Sequence, residues 1–249
     1  SAFKDLCAEV TLEAIDRHPG KQLGLLCDHR LGQNALFTLA EAPLWIASPI
    51  ELPSSRPLRF EGGPSLATTL RDWPKHQVVK CLCFTHPDDP AALWTEQAEA
   101  LIELFEAIRS LGLELLLEFI PPNDMPRDHS TVARSMAMAY KLGIAPDWWK
   151  LPSPSETDWK AEWSEWEQVI EANDPHCRGV VLLGLAAPED EIITNIERAS
   201  AEPLCKGFAV GRTIFGDAAK AWLGGKVDDE TAKAMMAASY DRLIAAWKR

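Results

Sequence analysis

The sequence predicts an α/β protein of the TIM-type (β/α)8 barrel class. Three observations carry that expectation: apolar runs of strand length, amphipathic helical stretches between them, and a 249-residue chain that spaces them evenly. Seven runs qualify as strands: Leu23–Cys27, Leu44–Ile46, Val78–Phe84, Leu113–Ile120, Trp148–Leu151, Gly179–Leu185 and Gly207–Val210. They are nearly continuous in apolar side chains, the pattern of parallel strands covered on both faces. Their centres recur about every 20 to 36 residues, the length of a strand–helix unit. Eight such units need roughly 250 residues, and GxGxxG is absent, so a barrel is favoured over a Rossmann sheet.

Taken in order, the N-terminal segment, with Leu6, Val10, Leu12 and Ile15, reads as a helix with no strand before it. One strand of eight is therefore expected to be missing, as in a chain cut from a longer polypeptide. Residues 48–64, rich in Pro and Gly, predict a long βα loop over one barrel mouth. Residues 92–110 place Leu101, Leu104, Phe105 and Ile108 on one helical face, and residues 158–172 place Trp159, Trp163, Trp166 and Ile170 at helical steps. Gly143 marks the end of a helix near 130–142, and Pro188 with Glu189 and Asp190 opens another. A further helix is expected to start near Gly216, and residues 228–247 close the chain as a helix. No Pro/Gly/Ser-rich linker divides the series, so residues 1–249 read as one barrel domain.

Composition narrows the function classes. Hydrophobic residues at 47% and charged residues at 25% exclude disorder, collagen and coiled coil. No apolar run approaches a membrane span, and Lys4 and Asp5 stand where a signal peptide would need apolar residues, so a cytoplasmic location without membrane partners is expected. A net charge of −12 opposes non-specific attraction to nucleic acid, so any phosphate ligand needs a local site. The six cysteines are scattered without a CxxC pair and read as reduced thiols; the ten tryptophans read as filling for a wide core.

In a parallel barrel, chemistry sits where strands end and βα loops begin. The first strand ends in Asp28, His29 and Arg30, and the second leads to Ser48, Pro49 and Glu51. The third contains Lys80 and runs into Thr85, His86, Pro87, Asp88 and Asp89; the fourth delivers Glu118, and the fifth Lys150. The sixth ends near Gly184, and the seventh leads to Gly211 and Arg212. Two lysines inside strands stand out, because a buried ammonium costs several kcal/mol unless paired or neutralised. A neutral amine is a nucleophile, and desolvation beside another cation lowers a lysine pKa far enough for Schiff-base chemistry. Lys150 is the preferred nucleophile, and Lys80 depresses its pKa or binds substrate. Glu118 is either the proton-transfer group or the counter-ion of Lys80, two compatible roles. Alternatively, either lysine reaches the rim or simply pairs with Glu118. Gly211 and Arg212 before a helix suggest a phosphate site, against a reading in which the glycines allow close packing and Arg212 joins a rim ion pair. His29, His86, Asp28, Asp88 and Glu118 could surround a metal, but no HxH or HExxH spacing supports one, and Asp88 and Asp89 read more simply as helix N-caps.

At these residues the chain resembles the domain of unknown function 2090 over nearly its whole length. The resemblance lies in LLCDHRLGQNAL (25–36), LWIASPIELPSSRPLRFEGG (44–63), VVKCLCFTHPDDP (78–90), LELLLEFIPP (113–122), PDWWKL (146–151), NDPHCRGVVLLGL (173–185) and KGFAVGRTIFGDA (206–218). That domain is often fused to 5-dehydro-2-deoxygluconokinase in bacterial myo-inositol catabolism and is similar, more distantly, to class I tagatose 1,6-bisphosphate aldolases. The resemblance implies Lys150 as Schiff-base former, Lys80 and Glu118 as its catalytic neighbours, Asp28 at the mouth, and Gly211 with Arg212 near a phosphate. The chain departs from the family in Asp28-His29-Arg30, where Asp-Asp-Arg is common, and in Thr85-His86-Pro87, where Tyr-His-Pro is common.

The expected function is thus a lyase without metal or cofactor, cleaving 2-deoxy-5-keto-gluconate 6-phosphate to dihydroxyacetone phosphate and malonate semialdehyde. Lys150, Glu118 and Lys80 are the expected catalytic residues, with Asp28, Arg30, His86, Gly184, Gly211 and Arg212 holding the phosphorylated keto sugar acid. A fused or partner sugar kinase and a homo-oligomer are the expected protein partners. Two alternatives stand beside it: a metal-dependent aldolase or isomerase, and a non-catalytic sugar-phosphate-binding domain serving a kinase.

Overall fold

The computed structural model describes residues 2–62, 65–184 and 187–249. Along them run α1 (Ala2–Arg17), β1 (Gly24–Leu26), α2 (His29–Thr38), β2 (Trp45–Pro49), α3 (Leu66–Arg71), β3 (Gln77–Phe84), α4 (Ala91–Leu111) and β4 (Leu115–Ile120). There follow α5 (Thr131–Lys141), β5 (Trp148–Pro152), α6 (Trp159–Asn173), β6 (Gly179–Leu183), α7 (Glu189–Ala199), β7 (Cys205–Ala209), α8 (Arg212–Leu223) and α9 (Asp229–Ala246). Sheet order follows chain order from β1 to β7. The fold class is α/β, of the TIM-type barrel kind, with seven strands among the described residues, one fewer than the eight of a full barrel. Each expected strand is present within a few residues; Leu185, the expected end of the sixth, lies outside the described residues, as do Gly63 and Pro64 of the expected loop.

By its internal contacts the chain divides into two compact units, one of Ser1–Ser48 with Leu182–Arg249 and one of Pro49–Val181. In the first, β1 pairs with β2 in parallel, Leu25 opposite Ile46. Leu6 and Val10 of α1 pack with Ala218 of α8 and with Ala232 and Met236 of α9, an apolar stripe satisfied by neighbouring helices. Ala8, Cys27, Ala35, Leu36, Leu39 and Ile46 form a second cluster.

In the second unit, β3 pairs with β4 and β4 with β5, both in parallel. The tryptophan stripe of α6 turns inward as its spacing requires: Trp163 and Trp166 are buried edge to face, ring centroids 4.8 Å apart. Helix α5 ends where Gly143 adopts φ +79°, with the Gly143 N–H donating to Tyr140 O and the Ile144 N–H to Ala139 O. Both bonds are those of a Schellman stop, which a side-chain-bearing residue at position 143 would strain.

Three local expectations are corrected. Helix α8 starts at Arg212 rather than near Gly216, because Gly211 O accepts the N–H groups of Ile214 and Phe215 and begins the helix earlier. Asp88 and Asp89 are not N-caps: α4 starts after Pro90 without a side-chain cap, Asp89 accepts the His86 N–H at 3.0 Å, and Asp88 pairs with Arg134. Helices α2 and α3 are additional, each opened by a side-chain cap, Asp28 on the Leu31 N–H and Ser65 on the Thr68 N–H. No helix among the described residues is long and apolar enough to cross a membrane.

Candidate active site

Strand register builds the centre of the site. Leu82 of β3 stands opposite Glu118 of β4, which stands opposite Lys150 of β5. Lys80, two residues before Leu82, shares its face, since side chains alternate along a strand. Neighbouring parallel strands lie about 4.8 Å apart, so one carboxylate can reach an amine on each side. Lys150 Nζ donates to Glu118 Oε1 at 2.7 Å, and Lys80 Nζ pairs with Glu118 Oε2 at 2.8 Å. The residues are 9%, 6% and 3% exposed for Lys150, Lys80 and Glu118. Trp149, on the opposite face of β5, is buried against Phe119, ring centroids 5.3 Å apart, and its Nε1 donates to Tyr140 Oη at 2.8 Å. That packing fixes the strand from which Lys150 projects.

A fourth member arrives from the segment after β2. Lys80 Nζ also donates to Glu51 Oε1, and Glu51 is 8% exposed. Its backbone is held by Ile50 N–H to Lys80 O at 3.0 Å, Leu52 N–H to Arg59 O at 2.7 Å and Glu61 N–H to Ile50 O at 2.8 Å. Glu51 Oε2 is buried and takes no hydrogen bond from the described residues. Sequence reasoning placed Glu51 among the strand-end polar residues without a role. An acid beyond one strand and a lysine within the next, with nothing apolar to account for either, was the available signal.

The four groups divide electrostatically. Burial lowers the Lys150 pKa and Lys80 adds to the effect, against the opposing pull of Glu118. Burial works against the Lys80 ammonium as well, but Glu118 and Glu51 together outweigh it and raise its pKa. Burial would raise Glu118, yet Lys150 and Lys80 outweigh it and hold the carboxyl below its ordinary range. For Glu51 burial wins over Lys80, and its pKa is raised. The arrangement favours a protonated Lys80 beside an ionised Glu118, with Lys150 and Glu51 both biased toward neutrality. Such a site can present a nucleophilic amine next to a carboxylate able to move a proton.

Loops after successive strands of this unit are tied to one another. Arg56 pairs with the buried Asp89. His86 is buried, its Nδ1 accepting the Asp88 N–H at 3.1 Å and its Nε2–H donating to Pro126 O at 2.8 Å, so both ring nitrogens are engaged. Arg127 donates to Glu162 Oε2 at 2.7 Å and to Ser153 O at 3.2 Å.

The remaining predicted residues belong to the other unit. Asp28 caps α2 through Leu31 N–H at 2.7 Å and pairs with Lys4; Arg30 is an exposed residue of the same helix. A Cβ on Gly184 would lie 3.0 Å from Ile192 Cδ1 and 3.1 Å from Val210 Cγ2, so close packing alone favours glycine there. Gly211 is the N-cap of α8, and Arg212, its first residue, is exposed and forms no ion pair among the described residues. Among the described residues no three His, Cys, Asp or Glu side chains converge in a manner that could hold a metal ion.

The architecture recurs in a crystal structure of Cgl0159 from Corynebacterium glutamicum, 19% identical, with a TM-score of 0.61 over 96% of this chain and 76% of that one. That likeness is one of fold. No curated protein matches the sequence. The family described as an uncharacterized protein conserved in bacteria, DUF2090, matches residues 1–249, and the chain belongs to that family.

Proposed function

We propose that the protein is a class I aldolase that forms a Schiff base at Lys150. The observation that carries this reading is the buried Lys150–Glu118–Lys80 cluster, in which a lysine with a lowered pKa lies 2.7 Å from a carboxylate whose ionised form Lys150 and Lys80 both favour. In the proposed reaction, the Lys150 amine adds to the C5 ketone of 2-deoxy-5-keto-gluconate 6-phosphate, and loss of water leaves an iminium. Glu118 takes the proton of the C3 hydroxyl. The C3–C4 bond breaks, its electron pair moves into the iminium as an enamine, and malonate semialdehyde leaves with a new carbonyl at C3. Protonation of the enamine at C4 and hydrolysis release dihydroxyacetone phosphate and restore the amine. Glu118, protonated by the cleavage step, is the donor to C4 and returns to a carboxylate, the form that the Lys80 ammonium favours.

The substrate assignment follows the family resemblance and the chemistry that Lys150 and Glu118 can perform. Gly211 and Arg212 are the proposed phosphate-holding pair, since Arg212 is exposed at the start of α8 and a helix's first turn and a guanidinium both suit oxygen anions. Borohydride added to protein and substrate together is expected to leave an irreversible mass increase at Lys150. Unlabelled protein at saturating substrate would overturn the reading.

A further inference from the structure

Lys150 can act as an amine only after losing a proton, and the destination of that proton decides the charge left behind. If it passes to solvent while Glu51 and Glu118 stay ionised, a buried group of four side chains holds two carboxylates against one ammonium. An uncompensated charge in such a place is strongly disfavoured. The alternative destination lies within the cluster. Glu51 is buried, is joined to it through Lys80, and has one carboxyl oxygen, Oε2, that accepts no hydrogen bond from the described residues. A carboxylate oxygen buried without a donor is poorly placed to carry charge.

We propose that Glu51 holds, as a neutral carboxylic acid, the proton that Lys150 gives up when it becomes a free amine. One proton leaves Lys150 Nζ and one arrives at the Glu51 carboxyl; Lys80 stays an ammonium and Glu118 a carboxylate. The four groups sum to zero charge before and after. Of the titratable and charged groups around Glu51, Lys80 of β3 is in contact, Glu118 of β4 lies beyond Lys80, and Cys81 of β3 and Lys150 of β5 are within range of its charge. Burial of Glu51 and of Lys150 acts in the same sense, toward the two neutral forms. The backbone groups of Glu51 and Leu82 and the Lys80 ammonium oppose it at Glu51 and are outweighed. Glu51 thereby takes a proton-holding role, distinct from the nucleophile and from the base.

This inference rests on the reading of Lys150 as a working neutral amine, and its test is read without substrate. Infrared spectra of the full chain at neutral pH are compared for the carbonyl stretch of a protonated carboxyl. Lys150→Met removes the ammonium as the free amine does, and is expected to show that band; the Lys150→Met/Glu51→Gln double variant is expected to lose it. Lys150→Arg, which fixes a cation at the position, is expected to lack it. A Lys150→Met spectrum without a Glu51-dependent band overturns the proposal, and so does a folded Lys150→Arg protein that retains one. Should Lys150→Arg fail to fold, the first comparison decides alone. Borohydride labelling of Lys150 with a failed infrared test removes the role of Glu51 and leaves the aldolase reading intact.

Discussion

Lys150 and Glu118 face each other across the β4–β5 ladder, amine to carboxylate at 2.7 Å, with Lys80 on the other carboxylate oxygen. Removing the shared acid therefore leaves the Lys80 ammonium with Glu51 alone and the buried Lys150 amine without its partner. Glu118→Ala is expected to destabilise the fold by about 3–5 kcal/mol, the cost of breaking a buried ion pair from one side. Urea unfolding at neutral pH measures it, and a loss below about 1 kcal/mol would contradict the burial described.

The same carboxyl sets a pH signature. Its folded pKa is lowered from the ordinary value of 4.5, so the folded state binds fewer protons there than the unfolded chain. The stability that Glu118 contributes is present in full above pH 4.5 and is lost as pH falls through its lowered folded value. The advantage of the parent over Glu118→Gln in urea is expected to shrink on acidification below about pH 4.5.

Arg56 supplies the cation for Asp89, whose side chain is fully buried and is otherwise met by the His86 N–H. Arg56→Ala is expected to cost about 1–3 kcal/mol in urea, the penalty for leaving a buried acceptor short of a donor. Arg56→Lys should recover part of the loss.

Arg212, exposed at the start of α8, makes no ion pair among the described residues, so its removal should leave stability within about 0.5 kcal/mol of the parent. A phosphate-holding role predicts that Arg212→Ala raises KM for the phosphorylated substrate about ten-fold or more, since a charge-assisted hydrogen bond contributes about 1.5–3 kcal/mol. Steady-state kinetics with kcat within about two-fold of the parent is the expected outcome; an unchanged KM removes Arg212 from the site.

Strand positions were legible because strands covered on both faces are written as unbroken apolar runs, as in Leu115–Ile120 and Gly179–Leu183. Lysines within two such runs marked themselves by their cost. Less could be read where a helix shows little apolar pattern: α2 carries Gly32 inside it and exposes Leu31 and Phe37, and α3 has only six residues. The Glu51–Lys80 pair spans 29 positions and depends on the bridge between Glu51 and Phe60, which no local spacing announces. Asp89 looked like a cap because two acids precede a helix. In the fold its carboxylate is turned back toward His86 and Arg56.

The ties from Arg56 to Asp89, from His86 to Pro126 and from Arg127 to Ser153 and Glu162 link four successive loops of one unit in series. Laboratory evolution that exchanges one of these segments alone will cut a tie on at least one side, leaving its neighbour without an anchor. New specificity on this scaffold is therefore more accessible by transplanting the four segments together, or by changing side chains that take no part in the stitching.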